Sequence, residues 1–395
     1  LYLEAIDTLD GSGEAISLAV IDNLAGLADL YHKMGQYEKA EPILRQVLDH
    51  RQRALGPEDP AVADAIEELG MNMASRSKYD EAEPLVREAL LLRREIFGSE
   101  PHPDLAENMN NLALVVDMLE RGEETEQLYE QALAMNGELY GEKHPNIALA
   151  LNNLADLYLD RNELDKAEAM YLQALDMQRE LFGEEHPDVA RVLNNIAYVY
   201  YYRGELPKAF DTMRSSIRTW KAVLGDEHPD VAGSLSTLGR WEVDAGEYLE
   251  AEPVLLEALA QQAKLLDPDH EATAITRMAL ANLYSSLGRY TEALEHAEAA
   301  AASLERTMGK EHWYTALATN IHGSVLGKLG NNERAEPLLL TSYKQLSADE
   351  GAVRVYVGRS LQRLIEFYGA VENHQAMTSY KELYARNFGE NQPVD

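Results

Sequence analysis

Apolar residues recur along the chain at the three-four spacing of a helical face, and short polar stretches interrupt them at regular intervals. Residues 145–182 show the unit. Ile147, Ala148, Leu151, Leu154, Ala155, Leu157 and Tyr158 share one helical face. Arg161-Asn162-Glu163 is a polar break, after which Leu164, Ala167, Met170, Tyr171, Ala174, Leu175 and Leu181 mark a second face. Gly183 ends that helix and Pro187 opens the next. The pattern predicts two packed helices per unit. No segment alternates with the two-residue period of a strand, so the expected fold class is all-α.

The unit repeats. His102-Pro103, His144-Pro145, His186-Pro187 and His228-Pro229 are 42 residues apart. Pro60 lies one period earlier at an interval of 43, with the extra residue between Gly98 and Pro103. The frame continues through His270-Glu271 and His312-Trp313, where the proline is lost. Ala40, Ala82, Ala167, Ala209, Ala251, Ala293 and Ala335 hold one register, with Thr125 in the third place. Small residues such as Ala155 and Ala174 belong where two helices cross closely. Proline suits the first helical position, where its missing N–H is not needed, and Asp104, Asp188 and Asp230 behind it complement the helix dipole. Gly204, Gly246, Gly288 and Gly330 hold the place of Asn162, where a positive φ ends the helix. Pro42, Pro84, Pro253 and Pro337 fall a turn inside second helices, where a slight kink is expected.

Nine helix pairs follow, at about 14–55, 60–97, 103–140, 145–182, 187–224, 229–266, 271–308, 313–346 and 353–388. No Gly/Ser/Pro linker interrupts them, so residues 11–395 read as a single α-solenoid. The chain opens on Leu1, and residues 1–10 read as the remnant of a preceding repeat helix, so the chain is expected to be cropped or processed.

The unit Gly-x-x-His-Pro-x-x-Ala-x-x-Leu-Asn-Asn-Leu-Ala-x-x-Tyr, followed by Ala-Glu-x-x-Tyr-x-x-Ala-Leu, resembles a tetratricopeptide repeat. More narrowly it resembles the 42-residue variant of kinesin light chains and many bacterial proteins. The resemblance implies a right-handed superhelix whose first helices line a concave groove for extended or short helical peptides. It also implies that first-helix asparagines hydrogen-bond the peptide backbone. The matching positions are Asn111, Asn153 and Asn195, with Asn110, Asn152 and Asn194 beside them; pair two has Glu67-Glu68 and pair six Ser236-Thr237. At least one asparagine of each pair is expected to face the groove, since an amide can satisfy any peptide's backbone. The alternative is that one of them caps or bridges to a neighbouring repeat. Ala335 to Leu340, followed by Leu361 to Tyr368, also looks like the tail of bacterial kinases fused to such repeats.

The first helix of pair five carries Tyr198-Val199-Tyr200-Tyr201-Tyr202-Arg203. Tyr200 takes the position that packs on the paired helix. Tyr198, Tyr201 and Tyr202 take positions that face the groove in the family, with Arg191 two turns earlier on the same side and Arg240, next to Trp241, matching Tyr198 one repeat on. Tyrosines suit contact hot spots, and an arginine among them can clamp a carboxylate. The alternative is that the tyrosines pack between repeats and Arg240 pairs with Glu242 or Asp244. Glu242 itself replaces a core aromatic, which predicts a local irregularity.

Charge narrows the partners. Lysine and arginine number 35 against 68 aspartates and glutamates, a net charge of −33. Such a chain does not offer phosphates a basic surface, which argues against nucleic acid and anionic membranes, and its protein or peptide partner is expected to be basic or non-acidic. There is no cysteine, hence no disulfide and no thiolate chemistry. No apolar stretch reaches the roughly 18 residues of a membrane helix. His102, His144, His186, His228, His270 and His312 each precede a helix start, and one per repeat is too far from the next to share a metal. No phosphate-binding loop, nucleophile elbow, dinucleotide loop or zinc-protease motif occurs, and no cofactor or metal is expected. The chain therefore reads as a non-enzymatic, monomeric interaction module, cytoplasmic or exported. The next reading is a regulatory or sensory region of a larger signalling enzyme, such as a bacterial protein kinase or protease; a spacer comes third.

Overall fold

The computed structural model describes residues 17–98, 100–349 and 351–389. The remnant expected at residues 1–10 lies outside them. Every regular element described is an α-helix, and consecutive helices pack as antiparallel pairs, an α-solenoid. The first helices of the pairs are α1 (Leu18–Lys33), α3 (Pro60–Ala74), α5 (Pro103–Asp117), α7 (Pro145–Asp160), α9 (Pro187–Tyr202), α11 (Pro229–Ala245), α13 (Glu271–Ser286), α15 (Trp313–Lys328) and α17 (Arg354–Ala370). The second helices are α2 (Tyr37–Leu55), α4 (Tyr79–Phe97), α6 (Gly122–Tyr140), α8 (Leu164–Phe182), α10 (Leu206–Leu224), α12 (Tyr248–Leu265), α14 (Tyr290–Met308), α16 (Asn332–Ala348) and α18 (His374–Phe388). Packing groups them into two compact units, one closing at Gly183 and the other opening at Glu184.

The repeat signals act as local instructions. Each repeating histidine is an N-cap. The Nδ1 atoms of His102, His144, His186, His228, His270 and His312 accept the backbone N–H two residues on, at 3.1–3.3 Å. That satisfies a donor which the first helical turn leaves free. In pair two Asp59 does the same for the Ala61 N–H at 2.9 Å. His102 and His144 also stack on Phe97 and Tyr140, the closing aromatics of the preceding helices, at 3.6 and 3.7 Å between centroids.

The alanine register is the contact between paired helices: all seven alanines and Thr125 are fully buried. At the facing position some first helices carry glycine. A Cβ on Gly239 would meet the Leu255 side chain at 2.6 Å, and one on Gly70 would meet Val86 at 2.7 Å. The helices α2, α4, α12 and α16 run unbroken through Pro42, Pro84, Pro253 and Pro337. Where the helix-ending glycine is absent, Ser77, Glu120, Asn162 and Glu372 adopt φ of 57–60° in its place.

Candidate functional site

The six asparagines of the 42-residue register occupy two kinds of environment. Asn110 and Asn152 are buried; Asn110 donates to the Ala106 carbonyl of its own helix, and Asn152 to Asp156 at 2.9 Å. Asn194 is half-buried, donates to Asn195 and accepts from Ser234 of the next pair at 3.3 Å. The second asparagine of each pair, Asn111, Asn153 or Asn195, is half-buried. Asn111 donates to Glu67 at 2.9 Å. The Asn153 amide makes no hydrogen bond among the described residues. A fully buried amide outside the expected register, Asn108, bridges α5 to the Val86 carbonyl of α4.

In the first unit Asn111 edges a cavity of about 440 Å³, lined also by Asp29, Asp64, Glu67, Glu68, Asp104 and Glu107. Arg93 is the lining arginine, and it is consumed: it is buried and pairs with Glu67 and, at 2.7 Å, with Asp64. Burial raises the carboxyl pKa of both Glu67 and Glu68; Arg93 and Asn111 oppose the shift at Glu67, and Arg51 opposes it at Glu68, where Asp64, Asp29 and Glu67 add to it. The cavity therefore carries negative charge that its own residues do not balance.

The second unit has a cavity of opposite character, about 310 Å³, on the first helices α9, α11, α13, α15 and α17. Four expected site residues meet there: Tyr198, Tyr201, Tyr202 and Arg240. Tyr201 stacks on Trp241 of α11 at 4.3 Å with 9° between planes, and Tyr198 meets the same indole edge-on at 4.9 Å. The tyrosines thus pack between repeats and line the cavity at once. Tyr202 is 58% exposed at its rim. Burial and the nearby Asp244 push the Tyr201 phenol up to about 12.

Arg240 takes neither of the acids offered by sequence. Glu242 is fully buried and accepts from Arg214 of α10, and burial pushes its carboxyl up to about 7. Asp244 pairs with Arg359 of α17 at 3.0 Å. Arg240 has no ion-pair partner among the described residues. Arg191 does not line the cavity; it pairs with Asp188 on its own helix. Tyr200 rests against α10, with Lys208 Nζ 5.3 Å from its ring centroid.

The residues that sequence reasoning missed come from the last pairs: Asn282, Tyr314, Tyr356, Arg359 and Arg363. Arg363 is held by the side-chain oxygens of Asn282 and Asn320, each at 3.1 Å, and burial together with Arg359 pushes it down to about 10. A signal existed. Counted in steps of 42, Arg359 stands in the register of Arg191 and Arg363 in that of Asn195. The lost Gly-x-x-His-Pro lead-in of pair nine hid the frame.

Among the described residues no group of three or more His, Asp or Glu is placed to hold a metal ion. No helix among them is long and apolar enough to cross a membrane.

A family model described as tetratricopeptide repeat matches residues 17–95, 65–136, 104–180, 163–222, 188–260 and 230–306. No curated protein matches the chain. Among solved structures, the apo form of RapI superposes with a TM-score of 0.70 at 15% identity, covering 93% of this chain and 97% of that one. A Rap protein complexed with competence and sporulation factor gives 0.51 at 15% identity, covering 84% and 93%. BtubC (BKLC) from P. vanneervenii is 29% identical over 53% of this chain and 83% of that one, with a TM-score of 0.47. At 15% identity the two Rap structures speak for the fold.

Proposed function

Because this chain belongs to the tetratricopeptide repeat family, we propose that it is a non-catalytic interaction module that captures a basic or non-acidic partner segment on the first-helix face of its first unit. The observation that carries this reading is the carboxylate-lined cavity between α1, α3 and α5. Its one arginine is already paired, so a lysine or arginine from a partner would supply the missing counter-charge. Asn111 at its edge and the unbonded Asn153 amide one repeat on offer donors and acceptors to a backbone lying across the face. The fold is shared with a Rap protein solved in complex with competence and sporulation factor, which is consistent with a binding role.

A peptide-display library panned against the purified chain tests the reading. Enriched peptides should be rich in Lys or Arg. Replacing Glu68 and Glu107 by Gln with Asn153 by Ala should weaken them by about tenfold or more. No enrichment over a blank surface would sink the proposal.

A further inference from the structure

In a chain with 68 carboxylates, the cavity of the second unit is lined by three arginines, Arg240, Arg359 and Arg363, and by one carboxylate, Asp244. Asp244 is taken by Arg359 at 3.0 Å. Arg363 is braced by two amide oxygens at 3.1 Å, which orient the guanidinium without neutralising it. Arg240 has no ion-pair partner among the described residues. Glu366 and Asp244 act on Arg363 from a distance without pairing with it, so Arg240 faces a partly enclosed space without an ion-pair partner among the described residues, an arrangement that costs energy until an anion enters.

The rest of the wall defines that anion's body. The stacked Tyr201–Trp241 pair forms one side, Tyr314 and Tyr356 another, and Met278 and Ile321 contribute apolar surface. The Arg359–Asp244 bridge ties α17 to α11, and Arg359 and Arg363 also line a second, polar cavity that runs past Ser285, Ser324 and Glu366. A volume near 310 Å³ is at the small end of the range for small-molecule sites, and aromatic walls with a few converging charges are their usual make-up.

We propose that this cavity binds a small aromatic carboxylate, its ring against the Tyr201–Trp241 stack and its carboxylate on the arginine set led by Arg240. The residues of this site all belong to the second unit. Asp244 on Arg359 already shows a carboxylate on one guanidinium of the set, and bidentate geometry favours arginine over lysine for that task.

The test uses the whole chain, calorimetry and ligand-observed NMR. The probes are phenylacetate, 3-phenylpropionate, the neutral phenylacetamide, and the acetylated dipeptide Gly-Phe as acid and as amide. Both free acids should bind, and phenylacetamide about tenfold or more weaker. Arg240→Gln should weaken the acids by about the same factor and Arg240→Lys by less, with both variants keeping the wild-type helical spectrum and melting temperature. Equal binding of acid and amide, or an Arg240→Gln variant that binds normally, would overturn the proposal. So would no binding of the free acids at millimolar concentration. Binding of the dipeptide acid alone would overturn it in favour of a peptide C-terminus. None of these results touches the panning experiment, so the two readings fail separately.

Discussion

At the scale of single residues, the chain shows how a substitution inside a repeat is accommodated. Glu242 stands where the repeat asks for a core aromatic, and it is fully buried with one oxygen on Arg214 and the other unpartnered. Burial raises its pKa from 4.5 to about 7. Within that window the folded chain keeps a proton that the unfolded chain has released, so this group's contribution to stability falls as pH rises. Glu242→Gln removes the ionisation while keeping an acceptor for Arg214. The variant should therefore gain about 2 kcal/mol on the wild type between about pH 5 and about pH 8, measured as the change in the stability difference by urea unfolding. A difference that stays flat with pH would show that Glu242 does not titrate in this range. The site residues also divide at this scale. The sequence placed Tyr198, Tyr201, Tyr202 and Arg240 on one face, and they line one cavity. It also placed Arg191 on that side; Arg191 pairs with Asp188, three residues before it on the same helix, and does not line the cavity.

At the scale of the helix pair, boundaries come from caps and turns rather than from bulk hydrophobicity. The His-Pro sequence supplies an acceptor and a preset φ in consecutive residues, and helices start at Pro103, Pro145, Pro187 and Pro229, directly behind their histidines. Helix ends depend on one left-handed residue. At Glu120 the chain adopts φ 59° with a side chain that disfavours it. Glu120→Gly relieves that strain at the cost of a freer unfolded chain. The net effect is expected to be a gain of about 0.5 kcal/mol, readable as a rise in melting temperature. Ala113→Gly, at a fully buried position inside α5, should instead cost about 1 kcal/mol of stability or more. A loss at position 120 would mean that the Glu120 side chain contributes more than the turn costs.

At the scale of the whole molecule, stability in a solenoid is a sum over repeats and their interfaces. The second unit holds three apolar clusters of its own: around Phe210, Met213 and Trp241; around Leu280, Leu283 and Leu304; and around Leu339, Leu361 and Leu364. Residues 184–395 expressed alone should therefore be helical by circular dichroism and unfold in a cooperative thermal transition. A broad, featureless melt would show that these clusters do not suffice. The two units also differ in charge at their cavities. The net charge of −33 is an average over a carboxylate-lined cavity in one and an arginine-lined cavity in the other.

The sequence by itself determined everything that acts locally. It set the period, the helix faces, the histidine and proline starts, the positive-φ ends and the buried alanine register, because each depends on neighbours within about a turn. It also fixed the tetratricopeptide repeat family through the 42-residue frame. Tertiary structure decided which charges are spent and which remain. Asp244 and Arg359 are 115 residues apart in the chain, and nothing local in either helix announces their pairing. That bridge, together with Arg214 taking Glu242, leaves Arg240 facing an aromatic cavity without an ion-pair partner among the described residues. The physical reason is range. Helix caps are settled by hydrogen bonds between residues two apart, whereas counter-charges are assigned only when the stacked repeats bring side chains of distant first helices within reach of each other.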